Sequence, residues 1–173
     1  MRQSALLPVI AALFVMPAAP LFAQDPSPNP SPTSAQEFVT QAAIGDMYEV
    51  KAGKLAERKG VSAGVKSFGR HMVMAHTETT EKLKAAIAKS GLSITPPSDL
   101  DTKHQKMLDQ LNSATGSDFD QTYLSQQEAA HQDALKLMQG YSNAGDNDVL
   151  KKAAAATARV VRQHIAMLAK LKT

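Results

Sequence analysis

The chain has 173 residues with 19 basic and 16 acidic side chains, and it contains neither cysteine nor tryptophan. The missing cysteine excludes disulfides, thiolate metal sites and cysteine nucleophiles. The near-balanced charge, with no dense basic cluster interleaved with aromatic residues, argues against nucleic acid as a partner.

The first 23 residues have the features of a signal peptide. Arg2 supplies a positive start, residues 5–16 form an apolar run that is short for a membrane span, and LFA at 21–23 resembles a signal-peptidase site. We therefore expect cleavage after Ala23 and export to a bacterial periplasm, with secretion as the alternative. An uncleaved anchor is the competing interpretation. No second apolar run follows, so no membrane span is expected in the mature chain.

Residues 24–34 are expected to form a Pro/Ser-rich linker. The sequence DPSPNPSPTS has alternating prolines, which favour extended polyproline II and exclude helix. The remaining stretch, residues 35–173, is about the size of one domain.

The first half of this domain predicts two long helices, because apolar residues recur at spacings of three and four. A capping box, SAQE at 34–37, begins the first helix, and Gly60 ends it. Ser62 is expected to cap the second helix, which Gly91 ends. The small residues on these stripes, glycines among them, allow the helices to approach closely.

The second half predicts a short helix over about 99–113, ended by Gly116, and then two further long helices. Ser117 and Asp120 are expected to cap the third long helix, with Gly140 as an early end for it. The next turn is predicted at Gly145, with Asp146 as the N-cap of the last helix.

Two helical hairpins joined by a connection too long for a tight turn predict an all-α fold. The expected architecture is a ferritin-like four-helix bundle with a long crossover that contains a short extra helix. An up-down-up-down bundle with a small extra helix is the alternative.

Each long helix carries one potential metal ligand on or beside its apolar stripe, and these are Glu49, His76, His131 and His164. Carboxylate and neutral imidazole suit Zn, Fe, Mn or Cu(II), but such side chains can also be hydrogen-bonded core residues. Counted from the turn glycines, the two candidates of each hairpin differ by about 7 Å in height. One compact four-ligand site is therefore not expected.

Three motifs around these positions resemble a known family. EV-x-x-G-x-LA at 49–56, MV-x-x-HT at 72–77 and FD-x-x-Y at 119–123, followed by the two later histidines, are similar to the domain-of-unknown-function family 4142 (DUF4142). The resemblance covers about residues 36–171. It implies an exported bacterial protein with a ferritin-like fold and no established activity. It also implies that the four candidate ligands are recurrent polar positions of the family.

The chain departs from the family pattern at two positions. Ala75 stands where the family usually has Asp before the first histidine, so a carboxylate able to orient His76 is expected to be missing. Glu128 stands where the family is commonly apolar, and with His131 it forms the Glu-x-x-His spacing of diiron bundles. A ferritin-type diiron site usually needs four carboxylates and two histidines, whereas this chain offers one such motif.

A second group of candidates comes from the sequence HMVMAH at 71–76. Imidazole and thioether together attract Cu(I). On a helix, His71 and Met74 share one face while Met72 and His76 share another, so the set splits into two pairs. Methionine at helical spacing is more often a core residue.

The leading functional expectation is a non-enzymatic periplasmic protein that binds a metal ion or an envelope protein partner, with a stress-related role suggested by the resemblance alone. The alternatives are an iron- or copper-dependent redox enzyme, a metal-storage protein and a protein-interaction module. A transition metal, Fe, Zn or Cu, is the only cofactor suggested. The chain has no phosphate loop, His-Glu-x-x-His or nucleophile elbow, and no catalytic residue is predicted.

Overall fold

A computed structural model describes residues 34–171 of the chain. The described part contains the helices α1 (Ala35–Lys59), α2 (Ala63–Ser90), α3 (Thr102–Ser113), α4 (Gly116–Ala144) and α5 (Asp148–Leu171). No helix within residues 34–171 is both long enough and apolar enough to cross a membrane. The expected signal peptide and nearly all of the expected linker lie outside the described residues, so both stay predictions.

The four long helices pack as two antiparallel hairpins, α1–α2 and α4–α5, with α1 against α4 and α2 against α5. Near the start of α1, the ring of Phe38 stacks on that of Tyr141 near the end of α4, with centroids 4.1 Å apart. At the other end of α1, Lys59 Nζ lies 5.5 Å from the ring of Phe119 at the start of α4. Helices α1 and α4 are therefore antiparallel.

The connection between the hairpins runs along the length of the bundle and contains α3. The start of α4 lies near the start of α2, because the carboxylate of Asp120 accepts hydrogen bonds from the backbone N–H groups of Val61 and Ser62 at 2.9 and 2.8 Å. Helices α2 and α4 therefore run in the same direction, which excludes the up-down-up-down alternative. The predicted ferritin-like bundle with a crossover is confirmed.

The ends of α1 and α2 follow the sequence signals. The hydroxyl of Ser34 accepts the N–H of Glu37 at 3.2 Å, and that of Ser62 accepts the N–H of Val65 at 3.1 Å. Gly91 has a φ of 73°, the left-handed conformation that favours glycine at a helix end. These caps satisfy backbone groups that each helix end would otherwise leave unpaired.

The caps of α4 and α5 differ from the sequence prediction. Helix α4 begins at Gly116, after Thr115, and continues past Gly140 to Ala144. Asp120 is unavailable as a cap because its oxygens bind the α1–α2 turn.

At the start of α5, the expected cap residue is displaced by its neighbour. Asn147 Oδ1 accepts the N–H groups of Val149 and Leu150, both at 3.1 Å. Asp146 instead accepts a hydrogen bond from the hydroxyl of Tyr141 at 2.9 Å. The prediction that Asp146 caps this helix was therefore wrong by one residue.

Helices α1 and α2 approach closely at two facing glycines. A Cβ added to Gly53 would lie 2.7 Å from the carbonyl oxygen of Gly69, and a Cβ added to Gly69 would lie 2.7 Å from Ala56 Cβ. Neither position has room for a methyl group without movement of the backbone. The prediction that small residues let these helices approach closely is confirmed here.

The bundle interior consists of two apolar clusters separated by a polar layer. One cluster contains Phe38, Leu83 and Tyr141, and the other contains Phe68 and Phe119. Along every long helix the buried polar residues fall between or at the border of the two clusters: Asp46, Glu49, His76, Thr79, Gln126, Gln127, His131 and His164. The candidate site therefore lies midway along the bundle.

Candidate metal centre

Three histidines from three helices meet in the polar layer. One ring nitrogen each from His76 on α2, His131 on α4 and His164 on α5 lies within 4.8 Å of the other two. Their ring centroids are 5.3 to 5.7 Å apart. The three residues are 6%, 1% and 2% exposed, so the cluster is closed off from bulk solvent.

The separation of about 7 Å expected between His131 and His164 along the bundle axis is too large, since their ring nitrogens lie 3.2 Å apart. His131 is 13 residues before Ala144, and His164 is 16 residues after Asp148. Counted from the helix ends, the pair therefore differs by three residues, about 4.5 Å of helical rise. The expected separation of about 7 Å includes the rise of residues 145–147, which form the turn between α4 and α5 and add no helical rise. The long imidazole side chains span the remaining distance.

The hydrogen bonds of His131 fix which of its ring nitrogens carries the proton. His131 Nδ1 lies 2.8 Å from the carbonyl oxygen of Gln127, which can only accept. Nδ1 is therefore the donor, and the lone pair of Nε2 points to His164 Nδ1 at 3.2 Å. Two nitrogen ligands of a tetrahedral zinc ion would be about 3.3 Å apart. The observed spacing fits a shared ion as well as a direct hydrogen bond.

His76 is held by a carboxylate from the neighbouring helix. Its Nδ1 lies 2.8 Å from Asp46 Oδ1, and the hydroxyls of Thr79 and Thr80 donate to the Asp46 carboxylate at 2.8 and 3.3 Å. The other ring nitrogen, His76 Nε2, is buried without a hydrogen-bond partner. Metal-binding histidines commonly donate their second N–H to a carboxylate or a backbone carbonyl. Both His76 and His131 have this arrangement.

Asp46 corrects one sequence-based expectation. A carboxylate able to orient His76 was expected to be missing because Ala75 replaces the Asp that precedes the histidine in the family pattern. The structure supplies that carboxylate from α1 instead of α2. Asp46 lies three residues before Glu49 on the same helical face, and this spacing was the available signal.

The electrostatic environment favours neutral imidazoles at two of the three positions. Burial lowers the pKa of His131 and His76 lowers it further, and together they outweigh the raising effects of Glu49 and of the hydrogen bond to Gln127. Burial, together with His76 and His131, lowers the pKa of His164 to about 3. At His76 burial alone would lower the pKa, but the hydrogen bond to Asp46 and the charges of Glu49 and Asp46 raise it. A metal ion requires the neutral imidazole.

Glu49 lies behind His131 rather than among the converging ring nitrogens. Its Oε1 is 3.8 Å from His131 Nδ1, the nitrogen turned toward Gln127, and its Oε2 accepts a hydrogen bond from Gln127 Nε2 at 2.7 Å. Glu49 is not part of the set of groups within 4.8 Å of one another. It therefore lies outside the cluster and contacts His131 only at its outward nitrogen. Apolar spacing predicts that Gln127 faces inward, one turn before His131, but nothing in the sequence indicates its contact with Glu49.

The remaining candidates lie outside the three-histidine cluster. Glu128 is exposed on the surface of α4. Met72 is fully buried in an apolar cluster, whereas Met74 is 66% exposed. His71 is half-buried, and its ring lies edge-on to that of His164 with centroids 5.3 Å apart.

The fold and the cluster define a helical bundle protein with a central three-histidine group. The chain belongs to the family described as "Domain of unknown function (DUF4142)", which matches residues 19–171. None of the curated proteins matches the chain.

Two solved structures have a similar fold. The DUF305 fragment from Deinococcus radiodurans is 14% identical with a TM-score of 0.67, over 81% of this chain and 97% of that one. CopM in its Cu(II)-bound form is 16% identical with a TM-score of 0.66, over 80% of this chain and 95% of that one. At these identities the likeness shows the fold alone.

Proposed function

We propose that this protein binds one transition-metal ion at His76, His131 and His164. The observation that carries the proposal is the unpartnered Nε2 of His76, buried in the same cluster as Nε2 of His131, whose lone pair faces His164 Nδ1. An unpaired buried polar atom costs about 1–3 kcal/mol, and a metal ion would satisfy it. The second nitrogens of His76 and His131 already have the acceptors that metal-binding histidines use.

The ligand set favours a metal ion that prefers nitrogen. Imidazole suits Zn, Cu, Fe and Ni, whereas Mg and Ca require several oxygen ligands. Three protein ligands would leave one position of a tetrahedral ion for water or another small ligand. Zinc and Cu(II) are the first metals to test. The similar fold of CopM, a protein solved in a Cu(II)-bound form, gives copper additional support.

A single ion held by histidines fits these residues better than a carboxylate-bridged pair of iron ions. The Glu-x-x-His pair that suggested a diiron site is not formed at the cluster, because Glu128 is exposed on the outer surface of α4. The nearest carboxylates, Asp46 and Glu49, hydrogen-bond to His76 and Gln127 respectively. We therefore propose a non-enzymatic role such as binding or buffering a metal ion.

We further propose that this role is exercised outside the cytoplasm. The signal-peptide features of residues 1–23 support export, and a site without thiolates suits an oxidising compartment. A stress-related function, which the family resemblance suggests, would agree with the binding of excess metal ions.

Metal analysis of the purified full chain tests the proposal. After removal of metal with a chelator and reloading with zinc or Cu(II), we expect about one ion per chain for the native protein. A variant with His131→Ala and His164→Ala should retain none after gel filtration. His104→Ala is the matched control, since this imidazole hydrogen-bonds to Asp101, the N-cap of α3, and lies outside the cluster. Absence of bound metal in the native protein, or equal binding by the double variant, would overturn the proposal.

A further inference from the structure

One further imidazole contacts the buried cluster from its outer side. His71 lies on α2, five residues before His76, and its ring meets that of His164 edge-on at 85°, with centroids 5.3 Å apart. The three cluster histidines are at most 6% exposed, whereas His71 is half-buried and so borders solvent. The other described histidine, His104, contacts Tyr48 and Asp101 instead.

The geometry points to His71 as a transit ligand, which binds an incoming metal ion at the surface and passes it to His164 in the buried cluster. This inference rests on the proposed metal binding. His71 is not part of the set within 4.8 Å, so it is not one of the final ligands. Because it contacts His164 and is partly exposed, it lies between solvent and the buried cluster, where an entering ion would meet it first.

A transit ligand would lower the energy barrier that a metal ion meets on entering the buried cluster. An ion that sheds its water before it meets protein ligands would have to cross apolar packing as an uncompensated charge, which is costly. An imidazole at the border can replace one water while the others remain bound. Exchange can then proceed one ligand at a time, from His71 to His164 and onward to His131, whose Nε2 lies 3.2 Å from His164 Nδ1.

A group that acts only on the path has a distinctive kinetic signature. It lowers the same barrier for entry and for exit, so its loss slows both steps by one factor and leaves the equilibrium affinity unchanged. A true ligand behaves differently, because its loss weakens the bound state and raises the rate of release. The two roles are therefore separated by measuring both rates and the affinity.

The test uses the full chain and Zn(II) as the probe, since zinc has no preference for the nearby exposed thioether of Met74. Loading is followed by stopped flow with a chromophoric zinc indicator, and release is followed after addition of excess chelator. His71→Phe retains the ring volume against His164 but removes both nitrogens. Met74→Ala, on the same helix and 66% exposed, is the matched control. A thermal melt of each variant confirms that it is folded.

For His71→Phe we expect loading and release each to slow by about tenfold or more, while the dissociation constant stays within about twofold. Met74→Ala should leave both rates unchanged. Loading of His71→Phe at the native rate would overturn the transit role and leave the proposed function standing. A weaker affinity with faster release would also overturn it, because His71 would then be a ligand. Failure of the native chain to bind zinc or Cu(II) would instead overturn the proposed function.

Discussion

The carboxylate of Asp46 and the imidazole of His76 meet across the contact between α1 and α2, with Oδ1 2.8 Å from Nδ1. Thr79 and Thr80 also donate to this carboxylate, so its position is held from three sides. The arrangement fixes Nδ1 of His76 as the outward nitrogen and turns Nε2 into the cluster, where it has no partner. The imidazole is thereby held in one orientation, with Nε2 unpartnered.

Replacing Asp46 tests this orienting role. Asp46→Asn keeps the size of the side chain but removes the charge that supports the His76 N–H. We expect zinc affinity to fall by about 10- to 100-fold, the usual effect of losing such a supporting group. A competition titration against a chelator of known affinity measures the change. Glu57→Gln, an exposed carboxylate on the same helix, should bind zinc as the native chain does.

The glycine pair between α1 and α2 gives a test of the packing that holds the site. A Cβ at Gly53 would lie 2.7 Å from the carbonyl oxygen of Gly69 and 2.9 Å from Val73 Cγ2. We expect Gly53→Ala to lower the free energy of unfolding by about 1–3 kcal/mol, because the helices must move apart. Urea denaturation measures the change.

The control for this packing test lies on the same helix. Gly45 has nothing within 4 Å of an added Cβ. Gly45→Ala should therefore raise the free energy of unfolding by about 0.5–1 kcal/mol, through the lower backbone entropy of the unfolded chain. Equal effects of the two substitutions would show that the close approach of the helices does not matter.

Asp120 ties the α1–α2 turn to the first turn of α4. Its two oxygens accept the backbone N–H groups of Val61 and Ser62. Asp120→Ala should lower the free energy of unfolding by about 1–2 kcal/mol, because both charge-assisted hydrogen bonds are lost. Asp118→Ala removes an exposed carboxylate from the same helical turn and should cost less. Thermal or urea unfolding of both variants measures the difference. Equal stability of Asp120→Ala and Asp118→Ala would show that the two hydrogen bonds of Asp120 do not contribute.

The cap of α3 should make stability depend on pH. Burial alone would raise the pKa of Asp101, but hydrogen bonds from the backbone and ring of His104 lower it below its usual value. A lowered pKa in the folded state means that the charged carboxylate stabilises the fold above the unfolded pKa. This contribution is lost as the pH falls through that value toward the folded pKa.

Asp101→Ala exposes this dependence. The stability difference between the native chain and the variant should be larger at about pH 6 than at about pH 3, because below the unfolded pKa the unfolded chain binds a proton that the folded cap resists. Urea unfolding at both pH values measures the difference. A difference that stayed constant with pH would show that the charge of Asp101 does not contribute.

The sequence predicted the helices and their faces better than the geometry of the site. Apolar spacing placed His76, His131 and His164 on inward stripes, because periodicity determines which side of a helix faces the core. It did not determine how far the helices are shifted along one another. The axial estimate therefore failed, and the contact of Asp46 with His76 was not foreseen.

Spacing alone also favoured the wrong neighbour on α4. Glu128 matched a known ligand spacing with His131, but a residue one position along a helix is turned by about 100°. The inward residue is Gln127, whose carbonyl oxygen lies 2.8 Å from His131 Nδ1. The side chain of Gln127 donates to Glu49 on α1, and spacing within one helix cannot report a contact between two helices.

X-ray absorption at the metal edge of the zinc-loaded chain shows whether three imidazoles share one ion. We expect a first shell at about 2.0–2.1 Å with scattering from three imidazole rings. His76→Ala should remove one ring from that shell. A shell of oxygen atoms alone, or a ring count that His76→Ala leaves unchanged, would contradict the assignment of His76, His131 and His164 as the metal ligands.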